Sequence, residues 1–133
     1  MDVSSLNIWA ILVSSISAFL IGGLWYGPIF GKQWQNANNL SDEDLAKSNM
    51  LVIYGGAFIL IVLAAFSLSM FIGKNADWTF GLFAGAMTGL FFVSTFLGVL
   101  NLFERKHIGV FLINAGYCSL TFSVMGLIIG AWH

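Results

Sequence analysis

The chain has 133 residues, of which 59% are apolar and 8% charged, with a mean hydropathy of +0.90. Soluble domains carry roughly 25% charged residues, so a soluble globular fold is excluded. Disorder is excluded too, because it needs low hydrophobicity and high net charge, and the net charge is −1. Five Lys and Arg with a pI near 6.0 leave no basic footprint for nucleic acid. The single cysteine rules out an intrachain disulfide framework.

Apart from Asp2, the charges fall in four clusters and leave charge-free stretches at 3–31, 48–73, 78–103 and 108–133. A crossing of the hydrocarbon core takes about 20 apolar residues at ~1.5 Å each. Every stretch is long enough for one crossing and too short for two. The expected fold is therefore all-α: a single integral membrane domain over 1–133, with four transmembrane helices in an antiparallel bundle. Its helices are expected at about 6–26, 50–73, 78–103 and 108–132. Barrel strands would alternate polar and apolar, which these stretches do not. The acidic start Met1-Asp2-Val3 and the long first apolar run argue against a cleaved signal peptide.

Along the first stretch, Gly27-Pro28 disfavours helix at the residue before proline. Helix 1 is expected to end near Tyr26, and Pro28 to open a short interfacial segment bearing Phe30, Lys32 and Trp34. Ser41-Asp42-Glu43-Asp44 follows, a helix-start signature with acids where the dipole favours them. Loop 31–49 is thus expected to be ordered at the surface; a solvated acidic connector is the competing reading.

Lys and Arg in short loops set orientation. Lys32, Lys47, Arg105 and Lys106 lie on one side against Lys74 on the other, which predicts cytoplasmic loops 1 and 3 and both termini outside. Trp9, Trp78 and Trp132 fall at one interface and Trp25 and Trp34 at the other, an aromatic belt that sets depth.

Helices in lipid associate through close backbone contact at small residues. Helix 3 carries Gly81, Gly85 and Gly89. Helix 1 carries Ala10, Ser14, Ala18 and Gly22, and helix 4 carries Ala115, Ser119, Ser123, Gly126 and Gly130. At ~100° per residue, Ser94, Gly98, Asn101 and Arg105 fall on the side of helix 3 opposite its glycines. Asn114, Tyr117 and Thr121 likewise fall away from the small-residue face of helix 4. Two packed sides per helix exceed what a four-helix monomer supplies, so a homo-oligomer is expected. Against it, serine and threonine hydroxyls can bond back to their own helices.

Ionisable groups within a membrane are functional hypotheses by default, yet the deep interior has none. Glu104 sits at the unfavourable negative end of helix 3, with Arg105, Lys106 and Lys32 as partners. An interfacial charge cluster is the bland reading. The sharper one is a cytoplasmic-side pocket of Asn101, Glu104, Arg105, Asn114 and Tyr117, in which the two asparagines bond each other, water or a ligand. Trp25, Tyr26 and Lys32 complete the expected lipid- or ligand-binding set. No metal site is expected, since His107 and His133 lie ~39 Å apart along one helix. No other cofactor is expected, for want of a nucleotide-binding motif or a buried haem ligand. Cys118 reads as packing.

Two blocks, GGLWYGPIFGKQW at 22–34 and NLFERKHIGVFLINAGY at 101–117, give the chain a resemblance. It is similar to the domain-of-unknown-function family 1761, small four-helix membrane proteins found largely in bacteria. The resemblance implies a multi-pass protein of the bacterial inner membrane, with no established reaction, and any common site at the cytoplasmic side. The residues favour a non-catalytic membrane component that binds lipid or a small ligand, with membrane lipids and further copies of the chain as partners. Permeation of a small solute or ion through an oligomer is the alternative, although helix 1 lacks the carboxylate of a proton-coupled antiporter. Catalysis ranks last, because Glu104 has no matched second group.

Overall fold

The computed structural model describes residues 3–132, so Met1, Asp2 and His133 lie outside it. Seven α-helices follow in order: α1 (Ile8–Leu24), α2 (Gly31–Asn38), α3 (Asp42–Ala46), α4 (Met50–Ile72), α5 (Trp78–Met87), α6 (Ser94–Phe103) and α7 (Ile108–Ala131). Wide π turns extend α1 over Trp25–Ile29 and join α5 to α6 over Thr88–Val93. The result is four helices long and apolar enough to cross a membrane, Ile8–Ile29, Met50–Ile72, Trp78–Phe103 and Ile108–Ala131.

Each span begins with a side chain that satisfies an orphan helix N–H. Asn7 accepts from Ala10 N–H at 3.2 Å, and Asn49 from Val52 N–H at 3.3 Å. Asp77 accepts from Phe80 N–H at 2.8 Å, and His107 Nδ1 from Gly109 N–H at 2.9 Å. Asn7 also donates to Trp132 O at 3.4 Å, tying the start of α1 to the end of α7.

α7 is the central element, with α1 and α4 to one side and the third span to the other. Ile11, Ala18, Ala65, Leu68, Ile72, Met125 and Ile129 form a small core between α1, α4 and α7. Elsewhere the molecule is apolar on the outside: Leu51, Leu60, Phe71, Phe92, Phe96, Leu102 and Phe103 are all well exposed. Exposed apolar side chains in this number mark an interaction surface.

Pro28 does not end helix 1 where the sequence suggests. The chain does not leave helical geometry at Tyr26; it continues to Ile29 by widening. Proline cannot donate, and its ring crowds the carbonyl four residues back. In the wider turn Phe30 N–H reaches Trp25 O at 2.8 Å, and the break falls at Phe30. α2 then restarts the helix in the segment expected to be interfacial.

Helix 3 does not set Ser94 and Gly98 opposite its glycines. Gly81, Gly85 and Gly89 lie against α7 along Gly130, Gly126, Phe122 and Cys118. A π turn adds one residue to the helical repeat, so the face that reaches Gly89 continues at Ser94 and Gly98. Ser94 Oγ donates to Gly89 O at 2.6 Å and lies 3.2 Å from both Ala115 O and Ser119 Oγ. Gly98 faces the ring of Phe111. What an unbroken α-helix would split into opposite faces is one continuous seam. α7 does have two packed sides, and α1 and the third span of the same chain cover both. The excess of packed faces that suggested further copies of the chain is thereby accounted for within one subunit.

Loop 31–49 is built from α2 and α3. Ser41 caps α3 reciprocally: its hydroxyl accepts from Asp44 N–H at 3.1 Å, while Asp44 Oδ2 accepts from Ser41 N–H at 2.9 Å. These bonds hold the Asp44 carboxyl below its usual range. A depressed carboxylate stabilises the fold above its unfolded pKa, and that contribution is lost as pH falls through the lower folded value. Amide protection across Asp44–Lys47 should therefore decline as pH falls below about 4, and Asp44→Asn should weaken that dependence. Hydrogen exchange with correction for intrinsic rates measures it.

Candidate functional site

The two blocks that carry the family resemblance meet in space. Gly22 lies where a Cβ would stand 3.1 Å from the Tyr117 hydroxyl, which donates to Ala18 O at 3.0 Å. Trp25 Nε1 donates to Ile113 O at 2.9 Å, and a Cβ on Gly116 would come within 2.8 Å of the same indole. Tyr26, carried on the π turn, donates to Asn114 Oδ1 at 2.6 Å and packs edge-on to Tyr117 at 5.2 Å. Gly31 has to be small because a Cβ there would lie 2.7 Å from Tyr26 O. Gly22, Trp25 and Tyr26 of the first block thus meet α7 between Ile113 and Tyr117.

Behind this junction lies a cavity of about 550 Å³, between α1, α2, α4 and α7. Phe19, Tyr26, Trp34, Tyr54 and Tyr117 supply five aromatic rings to its walls, and Asn114 stands among them. The rings lock each other edge-to-face: Phe19 with Tyr54 at 5.9 Å, and Tyr26 with Trp34 at 5.9 Å. Gly22, Gly23, Gly27 and Gly31 leave room on the side of the first span. Tyr54, Ile53 and Met50 on the rim are half-exposed. Among the described residues no charged side chain lines the cavity.

The expected site residues therefore divide. Tyr26, Asn114 and Tyr117 converge on the cavity, with Trp25 packed at a tilt against Phe30 at 4.7 Å beside it. Asn101 does not meet Asn114: its amide donates to Lys106 O at 3.3 Å and closes the α6–α7 turn. Glu104 pairs with Lys106 at 3.4 Å, both about half-exposed. Arg105 takes a left-handed backbone (φ 56°) at that turn, and it and Lys32 are exposed. The pocket expected around the charged turn is replaced by an uncharged one a helix away. Phe19 and Tyr54, which complete it, are residues that sequence reasoning missed. Neither stands out among the apolar positions of its helix, and only the apposition of α1 and α4 brings them together.

The hydroxyls of the spans are mostly turned inward on their own helices. Ser14 and Ser15 both donate to Ile11 O, Ser17 to Ser14 O, Thr88 to Ala84 O and Ser123 to Ser119 O. These hydroxyls spend their protons on carbonyls of their own helices.

Neither a curated protein nor a solved structure matches the chain. A family model described as "Protein of unknown function (DUF1761)" matches residues 9–130, nearly the whole chain, and the chain therefore belongs to the DUF1761 family.

Proposed function

We propose that this is a multi-pass protein of the cell membrane, of bacterial type, that holds a lipid-soluble molecule in the cavity between α1, α2, α4 and α7. The observation that carries the reading is the cavity itself: about 550 Å³, walled by five rings, three of them phenols, with the carboxamides of Asn114 and Gln35. Binding sites for small molecules span ~300–1,000 Å³ and combine an apolar lining with a few placed polar groups. Lys32, Lys47, Arg105 and Lys106 gather at the same end of the bundle, which by the positive-inside rule puts the cavity at the cytoplasmic leaflet, with both termini outside. The four spans then form an antiparallel bundle whose exposed apolar rim, including Met50 and Ile53, admits a ligand from the bilayer.

The test fills the cavity. Gly23 lines it, and a Cβ there would meet nothing within 4 Å. Gly23→Phe should therefore leave the melting temperature of the empty protein unchanged while reducing retained ligand at least tenfold. Native mass spectrometry of protein released from native membranes reads the bound mass. Equal retention by both proteins, or no retained molecule in either, would reject the reading.

A further inference from the structure

The polar groups of the cavity also say what kind of molecule fits, on the reading just given. Tyr26 spends its proton on Asn114 Oδ1, and Tyr117 spends its proton on Ala18 O. Asn114 is left with an NH₂ group that has no acceptor among the described residues. Trp34, also on the wall, holds an indole N–H with no acceptor among them. Around Asn114 and Trp34 the unspent capacity is thus donor capacity, while Gln35, whose NH₂ goes to Asp42 at 3.0 Å, and the Tyr54 hydroxyl add lone pairs elsewhere on the wall. Orphaned N–H groups are tolerated less well than spare lone pairs, so an occupant that accepts is favoured over one that only donates. Charge is disfavoured independently. With no ionised side chain on the walls, an anion or cation would shed its hydration without a counter-charge. The edge-to-face rings of Phe19, Tyr54, Tyr26 and Trp34 suit a flat apolar body.

We infer that the ligand is an uncharged, ring-bearing lipophile whose carbonyl oxygen accepts from the Asn114 carboxamide. Asn114 is then the residue that reads the carbonyl oxygen, the uncharged walls disfavour charged amphiphiles, and Tyr26 orients Asn114 by holding its oxygen.

Benzophenones test this directly, because they are ring-bearing ketones that insert into neighbouring C–H bonds on illumination. The full chain in lipid nanodiscs is labelled with 4-heptyloxybenzophenone, with anionic 4-benzoylbenzoate, or with cationic 4-(aminomethyl)benzophenone. Labelled peptides are mapped, and yields are normalised to label at outward-facing Phe96. The neutral ketone should label the cavity wall at Met50–Ala57, with each charged probe at least tenfold lower. Asn114→Leu should lower the neutral label about threefold to tenfold, the worth of one hydrogen bond. Tyr26→Phe, which leaves the NH₂ group in place but no longer held, should lower the neutral label by a smaller factor than Asn114→Leu does. Charged probes labelling as well as the neutral one would overturn the inference even if Asn114→Leu does not fold. So would an unchanged yield in folded Asn114→Leu. Either result leaves the cavity reading intact if Gly23→Phe still empties the site. Absence of cavity label from all three probes, together with equal ligand retention in Gly23→Phe, would remove both.

Discussion

Gly85→Ala, the addition of one methyl group, should destabilise the protein by about 1–3 kcal/mol, and Gly85→Leu should prevent folding. The reason is what stands opposite. A Cβ at Gly85 would overlap Phe122 O, and it would lie 2.9 Å from Phe122 C and 3.2 Å from the Cα of Gly126. These are backbone atoms of α7, which cannot swing aside as a side-chain tip can. Relief requires the third span to draw away from α7, and the seam then opens at Gly81 and Gly89 as well. In a membrane that loss is not recovered by hydrophobic association, because lipid is as apolar as the helix face; close packing is the main attraction there. Gly56→Ala is the matched control, since a Cβ on α4 at that position meets nothing within 4 Å. It should change stability by less than about 0.5 kcal/mol. Reversible unfolding by dodecyl sulfate in mixed micelles measures all three variants. Equal stability of Gly85→Ala and Gly56→Ala would mean that the seam is looser than the contacts around Gly85 require.

The contrast between those glycines shows how far the sequence could be read. Four spans were legible because charge is excluded from them, and that signal is independent of which helix touches which. The small-residue stripe Gly81, Gly85, Gly89 was legible because its spacing is helical. Its continuation was not, because ~100° per residue assumes an unbroken α-helix and the π turn at Thr88–Val93 breaks that assumption. One added residue turned Ser94 and Gly98 from an apparent second face into the same one. Asn101 and Asn114 were expected together because both lie near the α6–α7 turn. Asn101 is instead consumed by the turn, while Asn114 points to α1. Tyr26, Asn114 and Tyr117 could be singled out as polar groups in apolar helices. That they enclose a cavity with Phe19 and Tyr54 depends on α4 lying beside α1, and α4 carries no polar mark to reveal it.

Shortening and lengthening the π turn of the third span should have opposite outcomes, although each changes the chain by one residue. Ser94 N–H and Oγ both bond to Gly89 O, five residues back, where an α-helix would use four. Deleting Leu90, half-exposed on the outer side, converts the Gly89-to-Ser94 spacing from five to four. The run Gly81, Gly85, Gly89, Ser94, Gly98 then repeats every four residues throughout, the spacing that keeps one face of an α-helix. The seam survives the deletion, and stability should stay within about 1 kcal/mol of the parent. Inserting an alanine after Leu90 makes the spacing six and turns everything beyond it by ~100° more. Ser94 then leaves Ala115 and Ser119, Gly98 leaves Phe111, and a hydroxyl is carried toward acyl chains. That variant should lose about 3 kcal/mol or more, in the range reserved for broken buried contacts. If the deletion proves as damaging as the insertion, the widened turn is itself required by the fold. π turns are frequent at functional sites, and this outcome would mark the middle of the third span as a second place to look for one.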